Sequence, residues 1–215
     1  MAGDSYFLTK SDVARAQMVP HGAGPVIERY DTLAAAISKA AGPEAAGLFA
    51  EPVLSRGNDV APSSVAWYTR YDGEARPLGS LEGPARARAE QDLRDGLLRV
   101  ADGLTEPSAG LLIGAALNIK SLDDIYVIGG RPVLTNWGLA PDGANPSSPR
   151  RQEHFAATLG RYLPLDEAPA ISSEEWRGRL AGVTAALAAG AAAQSAAASE
   201  AQSAAAGCDA VGASE

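Results

Sequence analysis

Two β-prone runs that flank a pair of glycines form the clearest pattern of apolar and polar positions in the chain. Residues 125–134 read Ile-Tyr-Val-Ile-Gly-Gly-Arg-Pro-Val-Leu. A type I′ turn needs positive φ at both central residues, and Gly129 and Gly130 meet this need without a Cβ clash. The pattern therefore predicts a two-residue β-hairpin. A tight turn explains the two glycines more simply than a close approach to a ligand does.

The register of this hairpin predicts which of its sides carries a further strand. With the two glycines at the turn, Ile128 faces Arg131 and Val127 faces Pro132. Pro132 has no N–H, so the outer side of its strand is predicted to be a sheet edge near the turn. Any partner strand is expected on the other side, against residues 125–128.

A third β-prone run, Ser64–Tyr71, is rich in β-branched and aromatic residues and ends at an Asp-Gly pair. It is predicted to pair with the hairpin. Because side chains alternate along a strand, Val65, Trp67 and Thr69 share one face. Trp67 is therefore expected in the core, with Tyr68 nearer the surface.

Apolar residues at spacings of three and four predict several helices. The strongest pattern covers Gly83–Gly103, where arginine and acidic residues form i,i+4 pairs on the outer face. This arginine-rich face is interpreted as solvated because acidic residues are interleaved with it, and a binding surface is the alternative. Its buried stripe is predicted to consist of Ala85, Ala89, Leu93, Leu97, Val100 and Leu104. The other predicted helices are Thr32–Ala41 with Asp31 as its cap, Glu44–Ala50, and Ser108–Asn118 with Leu111, Leu112, Ala115 and Ala116 on its buried side.

These elements define an α+β fold, in which a small antiparallel sheet of one strand and the Gly-Gly hairpin is packed by two or more helices. Residues 1–27 are predicted to form a short strand or arm followed by a loop, and residues 52–62 to form a loop. The α+β domain is expected to span residues 1–140, followed by loop and peripheral helices over 141–180 and an alanine-rich, low-complexity linker or tail over 181–215.

Composition and charge limit the classes of function. The chain has 215 residues and a net charge of −8 at pH 7, which weighs against the binding of nucleic acid or anionic lipid. Its one cysteine, Cys208, lies in the tail. An internal disulfide and a thiolate zinc site are therefore excluded, and a reducing compartment is favoured. No segment has the pattern of a signal peptide or of a membrane span.

Candidate catalytic and metal-ligating residues are few. The two histidines, His21 and His154, lie in stretches predicted as loop or peripheral helix. The sequence contains no Gly-x-Ser-x-Gly nucleophile motif and no glycine-rich phosphate loop, and no cofactor or metal is expected. A helix-to-strand turn explains Asp123 and Asp124 better than a catalytic carboxylate pair does. The chain is therefore expected not to be an enzyme.

Two segments in a fixed order resemble a known family. Residues 65–77 read Val-Ala-Trp-Tyr-Thr-Arg-Tyr-Asp-Gly-Glu-Ala-Arg-Pro, an amphipathic helix follows, and residues 125–138 read Ile-Tyr-Val-Ile-Gly-Gly-Arg-Pro-Val-Leu-Thr-Asn-Trp-Gly. Over roughly residues 30 to 140 the chain resembles the amino-terminal region of SrfA-type proteins of bacterial virulence-factor operons.

The resemblance implies a cytoplasmic, non-enzymatic region encoded beside an actin/Hsp70-like, ATPase-like partner and a large GTPase-like partner. Such proteins normally continue into a membrane span and a further domain, whereas this chain continues into its alanine-rich tail. Association with the cytoplasmic face of the inner membrane is therefore expected only if a C-terminal span is missing from the sequence.

These observations favour a protein–protein interaction domain of an envelope-linked, virulence-associated bacterial assembly. Aromatic and arginine side chains dominate interface hot spots. The candidate interface residues are Tyr68, Tyr71, Arg131 and Trp137. The competing interpretation of Trp137 is that it belongs to the core.

Two alternatives come from other classes of protein. One is a small hydrolase or transferase in which His154 acts with Glu153 or Asp166. The other is a soluble adaptor whose tail is a flexible tether. The first requires a pocket lined by these residues, and an arm that detached His154 from the domain would remove it.

Overall fold

Two three-stranded antiparallel sheets and the α-helices packed on them form the framework of the described part of the chain. The computed structural model of the 215-residue chain describes residues 5–57, 63–106, 109–141 and 154–162. Within these ranges the predicted α+β class is confirmed.

The described strands and helices follow one another from the N-terminus to Tyr162. The strands are β1 (Tyr6–Asp12), β2 (Pro20–His21), β3 (Gly24–Pro25), β4 (Glu51–Ser55), β5 (Ser64–Thr69), β6 (Ala75–Pro77), β7 (Ile125–Ile128) and β8 (Arg131–Leu134). The α-helices are α1 (Tyr30–Ala41), α2 (Pro43–Ala46), α3 (Gly83–Asp102) and α4 (Gly110–Ala116). Short 3-10 turns are Arg15–Gln17, Val26–Arg29, Leu78–Ser80, Gly103–Thr105, Leu122–Asp124 and Leu159–Tyr162.

The first sheet has the strand order β1-β5-β4, and the second has the order β6-β7-β8. The prediction that the run Ser64–Tyr71 pairs with the hairpin is therefore wrong. Both sides of β5 are occupied by β1 and β4, and the hairpin pairs instead with β6, which follows β5 after a short turn. The alternation along β5 is confirmed, because Trp67 is fully buried and its neighbour Tyr68 is half-buried.

Strand β4 corrects a second prediction, since part of the expected loop at residues 52–62 is a strand. Proline is tolerated in a strand that lies at a sheet edge. Pro52 lies opposite Trp67 in β4, and β4 is the edge of the first sheet. The proline content that indicated a loop thus marks an edge strand.

The predicted hairpin is present with the predicted register. Ile128 pairs with Arg131, and Val127 pairs with Pro132. The φ angles of Gly129 and Gly130 are 56° and 84°, as a type I′ turn requires. Strand β6 pairs with β7 and not with β8, so the expected side of the hairpin carries the additional strand.

Replacing Gly130 with alanine should lower the free energy of unfolding by about 1 kcal/mol, because alanine in a left-handed conformation is strained by that order. No atom lies within 4 Å of a Cβ at this position, so the cost is one of backbone conformation alone. Chemical denaturation of both proteins measures it. The matched control is Gly129→Asn, which creates the Asn-Gly pair that type I′ turns favour and should leave stability nearly unchanged.

The helices follow their predicted positions with local differences. Leu33 and Ile37 of α1 are buried as predicted, but α1 begins at Tyr30, so Asp31 lies in its first turn and does not cap it. In α4, Leu111 is 39% exposed although it was predicted to be buried. The buried side of that helix is centred on Leu112 and its C-terminal neighbours.

The core is built around a cluster of aromatic rings between the two sheets. Trp137 is fully buried, and its ring centroid lies 5.9 Å from that of Trp67 and 5.8 Å from that of Phe49. Leu159 and Tyr162, from the last described segment, join this core. The domain boundaries near residues 140 and 180 stay predictions.

A chain of hydrogen bonds beside these rings joins the first sheet to the two segments that flank the hairpin. Trp67 Nε1–H donates to Ser11 Oγ at 2.9 Å, and Ser11 Oγ–H donates to Asn136 Oδ1 at 2.6 Å. The side-chain amide of Asn136 donates to Asp124 Oδ1 at 2.6 Å, and the Ser121 N–H donates to Asp124 Oδ2 at 2.7 Å. The interpretation of Asp124 as part of a helix-to-strand turn is confirmed, since it ends a 3-10 turn directly before β7.

Burial sets the protonation behaviour of Asp124. Removal of its carboxyl from water raises its pKa, while the hydrogen bonds from Asn136 and from the Ser121 N–H lower it in part. The charged carboxylate is therefore held in place by these donors against an unfavourable environment. Each carboxylate oxygen accepts a hydrogen bond from the protein, and the two bonds fix the orientation of the carboxyl group.

Among the described residues, no helix combines the length and the apolar composition that a bilayer crossing requires.

Candidate interaction groove

A groove of about 550 Å³ lies between the second sheet and the N-terminal half of α3. Strand β6 and the turn of the hairpin form one wall, and α3 forms the other. Its charged lining residues are Glu74, Arg76, Arg88, Asp92 and Arg131. Its remaining lining residues are Leu81, Ala85, Ala89, Val127, Gly129 and Gly130. The groove thus combines an apolar interior with a charged rim.

The local sequence explains why the walls are open. Ala85 was predicted to lie in the buried stripe of α3, but it is exposed and faces the groove. The stripe turns away from the groove beyond Ala89, and Leu93 and Leu97 take the core positions. Alanine on the helix and the glycines at the turn leave space where larger side chains would fill it.

The arginines of the groove form few ion pairs with carboxylates of the described residues. No described carboxylate lies within 4.0 Å of the guanidinium of Arg76 or Arg131. The Nε of Arg88 lies 4.0 Å from a carboxylate oxygen of Asp92, and the Arg88 side chain is 86% exposed. Such a solvent-exposed pair contributes little to stability. All three guanidiniums therefore retain donors for an incoming group.

Arg131 is positioned by an aromatic ring. Its guanidinium carbon lies 4.9 Å from the ring centroid of Tyr71, and that of Arg70 lies 5.2 Å from the same centroid. Arg70 also donates to the carbonyl of Pro43 at 2.6 Å and to the Tyr71 hydroxyl at 3.2 Å. Tyr71 is 8% exposed, so it acts as a buried support for Arg131.

The structure separates the four candidate interface residues. Tyr71 and Arg131 are in contact beside the groove, whereas Trp137 is fully buried and cannot reach a partner in this fold. Tyr68 lies on the outer face of the first sheet, where its ring packs edge-on against that of Phe7 with centroids 5.8 Å apart. Two of the four residues thus converge on one surface.

Arg76 and Arg88 are groove residues that the sequence interpretation missed. Arg76 lies in a three-residue strand, which is too short to show a period. Arg88 belongs to the arginine-rich face of α3 that was interpreted as solvated. The alternative interpretation of that face, a binding surface, is the signal that could have found Arg88, and no such signal exists for Arg76.

The histidines are placed away from the groove. Nε2 of His154 lies 2.8 Å from the carbonyl oxygen of Ile119. Since a carbonyl only accepts, this nitrogen carries the proton and tethers His154 to the domain. Its suggested partners Glu153 and Asp166 lie outside the described residues, so a hydrolase or transferase site stays a prediction. His21 lies in the short strand β2, and burial and the nearby Arg29 lower its pKa.

The part of the chain that the structure describes contains no group of three or more His, Cys, Asp or Glu residues arranged to hold a metal ion. Comparison with protein-family models, with curated proteins and with solved structures gives no significant match. The resemblance of residues 30–140 to SrfA-type proteins stays a prediction, as does the absence of catalytic activity. The predicted linker or tail over residues 181–215 lies outside the described residues.

Proposed function

We propose that this protein is an interaction domain that receives a segment of a protein partner in the groove between α3 and the hairpin. The observation that carries the proposal is the pair of guanidiniums, Arg76 and Arg131, that border an apolar interior with no ion-pair partner among the described residues. Arginine is enriched at the energetic centres of protein interfaces.

The walls of the groove suit this role because they are held in place from behind. Ile125 and Leu134 of the hairpin are fully buried, and Leu93 of α3 is fully buried beneath the helix. A partner therefore meets a preorganised surface, which reduces the entropic cost of binding.

The resemblance to SrfA-type proteins supplies the proposed setting. In that setting the partner belongs to a virulence-associated assembly linked to the bacterial envelope, and the operon-encoded ATPase-like and GTPase-like proteins are the first candidates. A soluble adaptor with a flexible tether would use the same groove, so the proposed binding site does not depend on the choice between them.

Site-specific photo-crosslinking tests the proposal. A photoreactive phenylalanine analogue at Glu74, on the rim of the groove, should crosslink a partner from a native lysate. The same analogue at Val53, which is 51% exposed on the first sheet, should not. Mass spectrometry identifies the crosslinked protein. Crosslinking from Val53 alone would assign the interface to the other sheet and contradict the proposal.

Alanine at Arg131 should reduce the crosslinked yield at Glu74 about tenfold, because a hydrogen bond to a charged group contributes roughly 1.5–3 kcal/mol. The matched control is Arg56→Ala, since Arg56 is 86% exposed, directly follows β4 of the first sheet and does not line the groove. Equal losses in both variants would indicate a general charge effect. Thermal unfolding of each variant verifies that the fold is retained.

A further inference from the structure

Charge distinguishes the groove from the rest of the molecule. The chain as a whole carries a net charge of −8, yet the groove presents three arginines against two carboxylates. A partner segment with a net negative charge is attracted to the groove, while the remaining, net negative surface of the protein repels it. Electrostatic complementarity therefore selects an acidic segment.

The three arginines come from three different elements: β6 for Arg76, α3 for Arg88 and β8 for Arg131. One carboxylate occupies one guanidinium fork, because the planar donors match a carboxylate bidentately. Donors spread around the rim fit a segment that carries several carboxylates along its length. A single small anion would leave most of these donors unused.

The interior of the groove specifies what stands between the carboxylates. Ala85, Ala89 and Val127 offer apolar contact, and the hairpin glycines allow another backbone to approach closely. Glu74 and Asp92 lie on the same rim and would repel an unbroken row of negative charge. Acidic residues alternating with apolar ones satisfy both conditions, whereas a nucleic-acid backbone does not.

We infer that the groove binds an extended peptide segment in which acidic and apolar side chains alternate, with its carboxylates on Arg76, Arg88 and Arg131. This inference rests on the proposed function and deepens it by naming the chemistry of the partner segment. The apolar side chains enter between α3 and the hairpin, and the carboxylates remain at the rim.

A titration of the isotope-labelled full chain, followed by amide chemical shifts, tests the inference. The probe is a short synthetic peptide in which glutamate and leucine alternate. The largest shift changes should fall at Gly129, Gly130 and Ala89, and replacing both Arg76 and Arg131 with alanine should weaken binding at least about tenfold. Higher salt should also weaken the binding of the peptide to the original chain.

A second peptide, in which lysine replaces every glutamate, is the matched control. Equal binding of the lysine peptide, shift changes confined to the first sheet, or no change at millimolar peptide would overturn the inference. Crosslinking from Glu74 that persists in such a case would show a partner of other chemistry in the groove. Failure of both experiments would remove the groove as a binding site.

Discussion

Replacing Trp137 with alanine should lower the free energy of unfolding by about 3–5 kcal/mol, the range for removal of a buried tryptophan. Trp137 is fully buried among the rings of Tyr30, Phe49 and Trp67. Its indole N–H donates to the carbonyl of Ala50 at 2.8 Å. The change therefore opens a cavity between the sheets and leaves a buried acceptor without its donor.

Urea denaturation followed by circular dichroism measures this loss. The control Trp137→Phe keeps most of the apolar volume but not the indole N–H, and should cost only about 1–2 kcal/mol. Phe7→Ala serves as a surface control, because Phe7 is 60% exposed, and should cost less than about 1 kcal/mol. A Trp137→Ala protein as stable as the Phe7→Ala protein would contradict the central place of this ring in the core.

Replacing Asn136 with alanine should lower the free energy of unfolding by about 3 kcal/mol. Two separable contributions add up to this loss: side-chain hydrogen bonding and backbone conformation. The first is the loss of the side-chain hydrogen bonds of Asn136: the one to the Asp124 carboxylate at 2.6 Å, of a type that contributes roughly 1.5–3 kcal/mol, and the one from the Ser11 hydroxyl at 2.6 Å. The second is the φ of 49° at Asn136, a left-handed conformation that costs alanine about 1 kcal/mol more than asparagine or glycine. Asn136→Gly removes only the first, so it should lie about 1 kcal/mol above Asn136→Ala in stability.

The pH dependence of the free energy of unfolding distinguishes the loss of the Asn136–Asp124 hydrogen bond from a simple loss of packing. Burial raises the pKa of Asp124, so the native state keeps this proton to higher pH than the unfolded chain does. The favourable contribution of the group is thus present in acid and is lost as the pH rises through the raised native pKa. Asn136 stabilises the charged form and offsets part of that loss.

The stability deficit of Asn136→Gly should therefore be largest at neutral pH and should shrink as the pH falls through the native pKa of Asp124. Urea denaturation over a series of pH values measures it for both the original chain and the variant. A deficit that stays constant with pH would assign the effect to lost packing and not to the carboxylate.

Patterns among residues close together in the sequence predicted the elements whose structure depends on local sequence alone. The pair Gly129 and Gly130 defines the turn, and the turn defines the register of the strands that it joins. Pro132 indicates which side of the hairpin stays an edge. Alternation along Ser64–Thr69 placed Trp67 in the core, and the i,i+4 pattern placed α3. Each of these signals comes from residues within a few positions of one another.

Pairing between strands could not be read in the same way. Strand β5 is paired with residues on both sides, and Tyr6 of β1 lies opposite Thr69 of β5 across a long separation in the sequence. An alternating strand can satisfy its hydrogen bonds with any neighbour of matching pattern, so its sequence does not name the partner. The three residues of β6 are too few to show a period at all.

Some features of the candidate groove were likewise predictable from the sequence, and others were not. Composition indicated Tyr71 and Arg131 as interface residues, because aromatic and arginine side chains are typical of hot spots. Their contact, the neighbouring Arg76 and the burial of Trp137 depend on how the second sheet packs against α3. Local sequence was sufficient to predict the turn, the two faces of β5 and helix α3, since these follow from local backbone geometry. The pairing of the strands and the arrangement of three arginines around one groove depend on the packing of the whole domain, because they bring together residues far apart in the chain.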